Sequence, residues 1–265
     1  INEILRGVIM TDIPDSHPRK ASLMSRQKMV EASKRGLLAE SAMIAHGRGE
    51  AFDYLLGEKT SDSASLAIRE AAALLLVAES PVISMNGNST VLAGSEAIKI
   101  ASILGCPVEV NIYYRTSDRM EALIGELESL RDRLGRESLH KARQSIMDVE
   151  ILGAVADGRI LGLQGPRSLC SSQGIEQADV ILVPLEDGDR CKALTSLGKQ
   201  VIAIDLNPLS RTSKSATVTI VDDVKRAMSR LADELLENPK TTDWNNEAVL
   251  RDALDIMSSS SLRIA

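Results

Sequence analysis

The chain has 265 residues, 44% of them hydrophobic, which is enough to bury a substantial core in one large domain or two small ones. Only 2% of the residues are aromatic and the net charge is −6, so the stacking platforms and basic field of a nucleic-acid-binding protein are not expected. The three cysteines form no CxxC pair, which argues against a zinc site or a disulfide framework and favours a reducing, cytoplasmic compartment.

The first elements along the chain are helical. Apolar residues recur at helical spacing from about 19 to 79. The most apolar window, 71–78, is much shorter than the roughly 20 residues that a membrane-spanning helix needs, and no charged-then-apolar leader precedes it. We therefore expect no membrane segment, and we treat 1–80 as an N-terminal helical segment packed on the main domain.

After Pro81 short β-branched runs alternate with amphipathic stretches, which is typical of a parallel α/β sheet. The runs are almost continuously apolar, as expected for strands covered on both faces. The predicted strands are 81–85, 108–114, 179–185, 200–205 and 217–221, and the predicted helices lie near 91–104, 117–134, 189–197 and 224–237.

Two regions lie outside this alternation. Residues 130–178 are interpreted as a variable loop or an excursion from the sheet, and we place no catalytic residue there. Residues 238–265 form a C-terminal tail whose Asn and Asp residues predict a short amphipathic helix, suited to packing or to a dimer contact. The main domain is thus 81–237.

Four predicted strands run directly into polar residues. Each of these ends could be a surface turn, since Asp, Asn and Gly favour turns. Because the carboxyl ends of parallel strands meet at one edge of a sheet, where ligands bind, we favour one shared site. The four ends are "NGN" (86–88), "RT" (115–116), "EDGDR" (186–190) and "DLNPLSR" (205–211).

The acids at these ends suit two roles. Asp205 is placed to accept hydrogen bonds from ribose hydroxyls. Asp187 and Asp189 could hold Mg²⁺ through water, because this ion prefers oxygen ligands and keeps much of its hydration. The sequence does not separate the two roles.

The standard phosphate-binding motifs are absent. No GxxxxGK[ST] occurs, and "GRGEAF" lacks the third glycine of GxGxxG, which excludes a conventional P-loop enzyme and disfavours a dinucleotide dehydrogenase. Instead, Gly47 and Gly49 bracket Arg48 directly before a predicted helix, so amide groups and the guanidinium could converge on an anion. The alternative is a glycine turn with a solvated arginine.

The first helix predicts a second cationic group. Arg19, Leu23, Arg26 and Val30 share one face, which we expect to be packed. A packed arginine needs a charged partner. For Arg26 we favour a bound phosphate over an internal acid such as Glu31 or Glu50.

The three histidines differ in their surroundings. His17 and His46 lie beside basic residues in predicted loops, where a hydrogen-bonding or proton-transfer role is as reasonable as a structural one. His140 is interpreted as a surface residue. The sequence shows no Ser-His-Asp arrangement.

Seven segments, in order from about 13 to 235, together resemble the archaeal phosphopantothenate synthetase (4-phosphopantoate–β-alanine ligase) family. These long motifs are specific, and only the first residues, 130–178 and the tail fall outside the resemblance. One departure is Cys191, where the family more often has threonine, so a hydroxyl contact to the nucleotide is in doubt. The segments are "IPDSHPR", "IAHGRGEAFDYLLGE", "VISMNGN", "VNIYYRT", "VPLEDGDR", "VIAIDLNPLSRT" and "TIVDD".

The resemblance implies a Rossmann-like nucleotide-binding domain, a homodimer, and an enzyme of coenzyme A biosynthesis. It implies that ATP, with Mg²⁺, activates 4-phosphopantoate as an adenylate, with release of pyrophosphate. The amine of β-alanine then attacks this adenylate, with release of AMP. A non-catalytic nucleotide sensor of the same fold is the alternative. A nicotinamide oxidoreductase is a weaker one.

The resemblance also implies site residues, although it assigns no metal ligand and no base for the amine of β-alanine. The expected ATP ligands are Arg26, Arg48, Glu186, Asp187, Gly188, Asp189, Arg190, Asp205, Leu206 and Asn207. The expected substrate ligands are His17, Arg19, Asn86, Asn88, Arg115 and Arg211.

Overall fold

A computed structural model describes residues 13–260, so the outermost parts of the predicted segments 1–80 and 238–265 lie outside the described residues. Within 13–260 the strands form a six-stranded parallel sheet in the order β3-β2-β1-β6-β7-β8 and a small antiparallel hairpin, β4-β5. The sheet strands are β1 (Pro81–Met85), β2 (Val108–Val110), β3 (Ile151–Leu152), β6 (Val180–Pro184), β7 (Gln200–Ile204) and β8 (Val218–Ile220), and the hairpin strands are β4 (Gly158–Arg159) and β5 (Leu169–Cys170).

Helices cover the sheet on both sides, which confirms the predicted α/β fold. Several begin at a side chain that accepts a hydrogen bond from the first turn, as Ser61, Thr116 and Asp223 do. Over the described part of the chain the helices are α1 (Lys20–Lys34), α2 (Ala42–Leu56), α3 (Asp62–Val77), α4 (Gly87–Leu104), α5 (Ser117–Glu137), α6 (His140–Met147), α7 (Gly188–Ser196), α8 (Arg211–Ser215), α9 (Val224–Leu236) and α10 (Asn246–Ser260). None of them has the length and apolar character to cross a membrane.

The sheet separates two hydrophobic clusters. Along β1, Ile83 and Met85 face one cluster and Val82 faces the other, because successive side chains of a strand point to opposite faces. Cys106 belongs to the first cluster, and Cys170 and Cys191 belong to the second. All three are free thiols, and burial raises the pKa of each to about 12.

The five predicted strands are confirmed, but one is shorter than expected. β2 ends at Val110, and the side chain of the next residue, Asn111, donates to the Leu169 carbonyl at 2.9 Å. The sixth strand, β3, was missed because two residues show no periodicity. It lies in 130–178, which also contains α6, the hairpin and two irregular helical turns, so this region is an excursion with structure of its own.

The predicted glycine loop around Arg48 is wrong. Gly47 and Gly49 lie inside α2, and neither has a positive φ. Glycine costs about 1 kcal/mol in a helix, but Leu56 and Ala42 of α2 are buried, and this packing outweighs the local preference. Arg48 is therefore an exposed helical residue and is not held in an anion-binding turn.

Asp179 fixes the start of β6. Its carboxylate accepts hydrogen bonds from the backbone N–H groups of Glu79, Ser80 and Val180 at 2.8–2.9 Å. Burial alone would raise the pKa of Asp179, but these three hydrogen bonds outweigh it and the pKa is lowered. The ionised form is therefore favoured by folding.

We expect Asp179→Asn to lower the free energy of unfolding at pH 7 by about 1–2 kcal/mol. Because the folded pKa is depressed, this difference is full above the ordinary Asp pKa of about 3.9 and disappears as the pH falls through the folded pKa. Urea unfolding across this pH range measures it. Asp233→Asn, at an exposed position of α9, is the control, and an equal loss in the control would contradict the assignment.

Candidate active site

The strand order places a crevice between β1 and β6. From this neighbouring pair the chain proceeds outward to β2 and β3 on one side and to β7 and β8 on the other. A crevice outside the carboxyl ends at such a switch point is where open parallel sheets bind ligands. A cavity of about 840 Å³ lies there, lined by Asn86 after β1, Leu185 after β6 and residues of α1, α2, α4 and α9.

Asn86 joins the two strands at this point. Its side-chain Oδ1 caps α4 by accepting from Ser89 N at 3.0 Å, and its Nδ2 donates to the Leu185 carbonyl at 2.7 Å. Leu185 has a φ of +62°, which is uncommon for a residue with a Cβ. The predicted substrate ligand Asn86 thus holds a strained backbone that directs the "EDGDR" segment into the cavity.

The charges of "EDGDR" are paired within the protein. Glu186 and Arg190 form a 2.9 Å ion pair, and their side chains are only 10% and 5% exposed. Asp187 caps α7 and pairs with Arg167, while Asp189 pairs with Arg211 outside the cavity lining. Of the predicted magnesium-holding acids, only Asp187 lines the cavity.

The "DLN" segment forms a turn. Asp205 accepts from Asn207 N at 2.9 Å and from the Ser210 hydroxyl, and burial raises the pKa of Asp205. Asn207 Oδ1 accepts from Leu209 N at 3.0 Å. Only Leu206 of this segment lines the cavity, so the two polar side chains shape the chain between β7 and α8.

Of the arginines expected to bind ATP, Arg190 lines the cavity, whereas Arg26 and Arg48 lie outside the lining. Arg26 donates to both carboxylate oxygens of Glu50 at 2.8 and 2.9 Å. Its partner is therefore an internal acid rather than the bound phosphate favoured from the sequence. The packed face expected for α1 is also wrong, because Val30 is 43% exposed and Met29 is buried instead.

The predicted substrate ligands divide into two groups. Arg19, Asn86 and Asn88 line the cavity, whereas His17, Arg115 and Arg211 do not. Arg115 donates to the Gly153 carbonyl, and His17 Nδ1 accepts from Arg19 N at 3.0 Å. Cys191, where a hydroxyl was expected, is buried with its sulfur 3.6 Å from the Thr212 carbonyl oxygen.

Several lining residues were missed. Arg167 comes from the excursion that we set aside, stacks on Tyr113 at 4.6 Å, and contacts Asp187. No sequence signal places it there, since its position depends on the tertiary path of 150–178. Asn111 and Asp223 could have been found, because each lies just beyond a strand end.

The cavity contains more cationic than anionic groups. Seven arginine and lysine residues face six acids, although the chain has a net charge of −6. Every lining acid is already engaged: five pair with arginine, and Asp223 caps α9. Among residues 13–260, Arg119, Lys225 and Arg230 line the cavity without an acidic partner. In the same residues no cluster of three or more potential metal ligands is present.

Comparison with known proteins identifies the relatives. The phosphopantothenate/pantothenate synthetase family model matches residues 63–260. Proteins named 4-phosphopantoate–β-alanine ligase are 46% identical in Thermococcus onnurineus (84% of this chain, 80% of the relative), 45% in Methanosarcina mazei (92% and 94%) and 44% in Methanospirillum hungatei (95% and 99%). These matches confirm the resemblance read from the motifs, and the chain belongs to the phosphopantothenate/pantothenate synthetase family.

Proposed function

We propose that this chain is an ATP-dependent ligase of coenzyme A biosynthesis that joins 4-phosphopantoate to β-alanine. The products are 4′-phosphopantothenate, AMP and pyrophosphate, and the intermediate is phosphopantoyl adenylate. The relatives' names support the substrates, and the cavity supports the use of two anionic ones.

The observation that carries the proposal is the set of unpaired cations. Arg119, Lys225 and Arg230 line the cavity while its acids are neutralised internally. ATP and 4-phosphopantoate both carry phosphate groups, which attract such cations. A volume of about 840 Å³ lies at the large end of the usual range for ligand pockets, which fits two small molecules bound together.

The residues would act by binding and orienting. A carboxylate oxygen of 4-phosphopantoate attacks the α-phosphorus of ATP, an O–P bond forms, and the bond to pyrophosphate breaks with its electron pair leaving on pyrophosphate. The cavity cations stabilise the charge that develops on the phosphates. Mg²⁺ neutralises further phosphate charge when it is bound with ATP.

The cavity suits Mg²⁺ held mainly by ATP and water, since this ion needs only one or two carboxylates. Asp187 is the proposed carboxylate. The predicted ATP ligands from "EDGDR" and "DLN", with Arg26 and Arg48, remain proposals, as do the substrate ligands. Arg26 would have to leave Glu50 to reach a phosphate.

Lys225→Met tests the role of the unpaired cations. We expect the KM of at least one phosphate-bearing substrate to rise about tenfold or more, because a charge-assisted hydrogen bond contributes roughly 1.5–3 kcal/mol. Steady-state assays that follow AMP and phosphopantothenate measure it, with Lys141→Met on the exposed face of α6 as the control. Unchanged KM values would contradict the proposed role, and absence of both products from the unmodified protein would refute the proposed function.

We also propose that the protein is a cytoplasmic homodimer. Its free buried cysteines suit a reducing compartment. Helices α1 and α2 expose Met24 (45%), Ile44 (66%) and Leu55 (42%), apolar side chains of the kind that subunit interfaces bury. Sedimentation equilibrium measures the state, and a monomer at micromolar concentration would contradict it.

A further inference from the structure

Within residues 13–260, His46 lies at the cavity without a hydrogen-bonding partner. It projects from α2 and is the one histidine among the lining residues described. Its Nε2 atom is buried and has no partner within residues 13–260. A buried polar atom without a partner is rare, and one beside a ligand cavity invites a ligand or water contact.

The lining acids are poor proton acceptors. Glu50 accepts from Arg26 and Ser22, and although burial opposes it, these hydrogen bonds lower the pKa of Glu50. Asp53 has its pKa raised by burial, but both of its oxygens accept from Arg226, at 3.1 and 2.5 Å. Protonating either acid would break an ion pair.

The remaining acids are engaged in the same way. Three of them form ion pairs with arginine: Glu58 with Arg19, Glu186 with Arg190, and Asp187 with Arg167. The fourth, Asp223, accepts hydrogen bonds from two backbone N–H groups of α9. Histidine is the side chain that ordinarily changes charge between pH 5 and 8. Glu50 lies one helical turn after His46 on the same helix, α2.

We propose that His46 is the general base of amide formation, an assignment that rests on the proposed function. The ammonium group of β-alanine first loses one proton to water. The amine nitrogen then attacks the acyl carbon of the adenylate, a C–N bond forms, and the second proton passes to the imidazole of His46. The C–O bond to the phosphate breaks, AMP leaves with the electron pair, and His46 returns its proton to solvent.

The two half-reactions separate this role from simple binding. Adenylate formation needs no base for an amine, and ATP–pyrophosphate exchange with 4-phosphopantoate measures it without β-alanine. We expect His46→Ala and His46→Asn to keep exchange within about threefold of the unmodified protein. Amide formation should fall by about 100-fold or more, the contribution of a positioned base. Hydroxylamine, which is uncharged at neutral pH, should still capture the adenylate as the hydroxamate.

His140→Ala, at an exposed position, is the matched control and should leave both half-reactions unchanged. Asp53→Asn tests the competing base. The proposal is overturned if the His46 variants ligate β-alanine at the normal rate, or if the rates of exchange and ligation fall by the same factor in these variants. It is also overturned if Asp53→Asn, and not the His46 variants, slows ligation while leaving exchange unchanged. If the unmodified protein shows neither exchange nor ligation, the proposed function itself fails, and the role of His46 with it.

Discussion

Replacing Arg190 with methionine is expected to lower the free energy of unfolding by about 3–5 kcal/mol. Arg190 is 4% exposed and lies between Glu186, at 2.9 Å, and the Ser84 hydroxyl, at 3.1 Å. Methionine fills a similar volume but leaves the Glu186 carboxylate buried without a counter-charge. The loss therefore reflects an uncompensated charge more than a cavity. Because Glu186 lies at the cavity, ligase activity should fall with stability.

Arg251→Met is the matched control for this experiment. Arg251 also pairs with an acid four residues earlier, Glu247, but both side chains are more than 70% exposed. Exposed pairs of this kind contribute about 0.3–0.5 kcal/mol. Chemical denaturation of both variants measures the contrast. Similar losses in the two would show that burial does not set the cost of breaking the pair.

Replacing Gly188 with alanine is expected to produce the second large effect. An added Cβ would lie 2.4 Å from Arg211 Cβ and 3.2 Å from Thr212 N, so α7 and α8 must move apart. Overpacking of this kind costs about 1–3 kcal/mol. The same movement strains the hydrogen bond from the Thr212 hydroxyl to the Glu186 carbonyl, which is 2.9 Å long. We therefore expect kcat/KM to fall about tenfold or more.

Gly125→Ala provides the comparison. Gly125 lies in α5, is exposed, and has no atom within 4 Å of an added Cβ. Alanine there should raise the free energy of unfolding by about 0.5–1 kcal/mol, because glycine is the poorer helix former. Thermal unfolding and steady-state kinetics of both variants measure the effects. Full activity in Gly188→Ala would mean that the close approach of α7 and α8 is not needed for the site.

Most of the sheet could be predicted because its strands are apolar runs bounded by turn residues. "PVISM" is read directly as β1, and "VILVP" as β6. The position of Asn86 at the cavity was also predictable, because polar residues just beyond a parallel strand lie at the edge of the sheet where ligands bind. The hydrogen bond from Asn86 to the Leu185 carbonyl was not predictable, since it joins residues 99 positions apart in the sequence.

The rest depends on tertiary packing. Gly47 and Gly49 favour a turn locally, but α2 forms because its ends are buried. Arg167 reaches the cavity because strand β2 anchors the excursion. Glu109 accepts from Ser171 N and Ile175 N, and Asn111 donates to the Leu169 carbonyl. No local pattern reveals such long-range bonds.

The three buried thiols provide internal reporters of how the protein opens. Cys106 lies on one side of the sheet, and Cys170 and Cys191 lie on the other. Thiol-directed reagents attack the thiolate, so a pKa of about 12 together with burial protects all three in the folded protein. The order in which they are alkylated under native conditions therefore reports which side of the molecule becomes accessible first, without any introduced label.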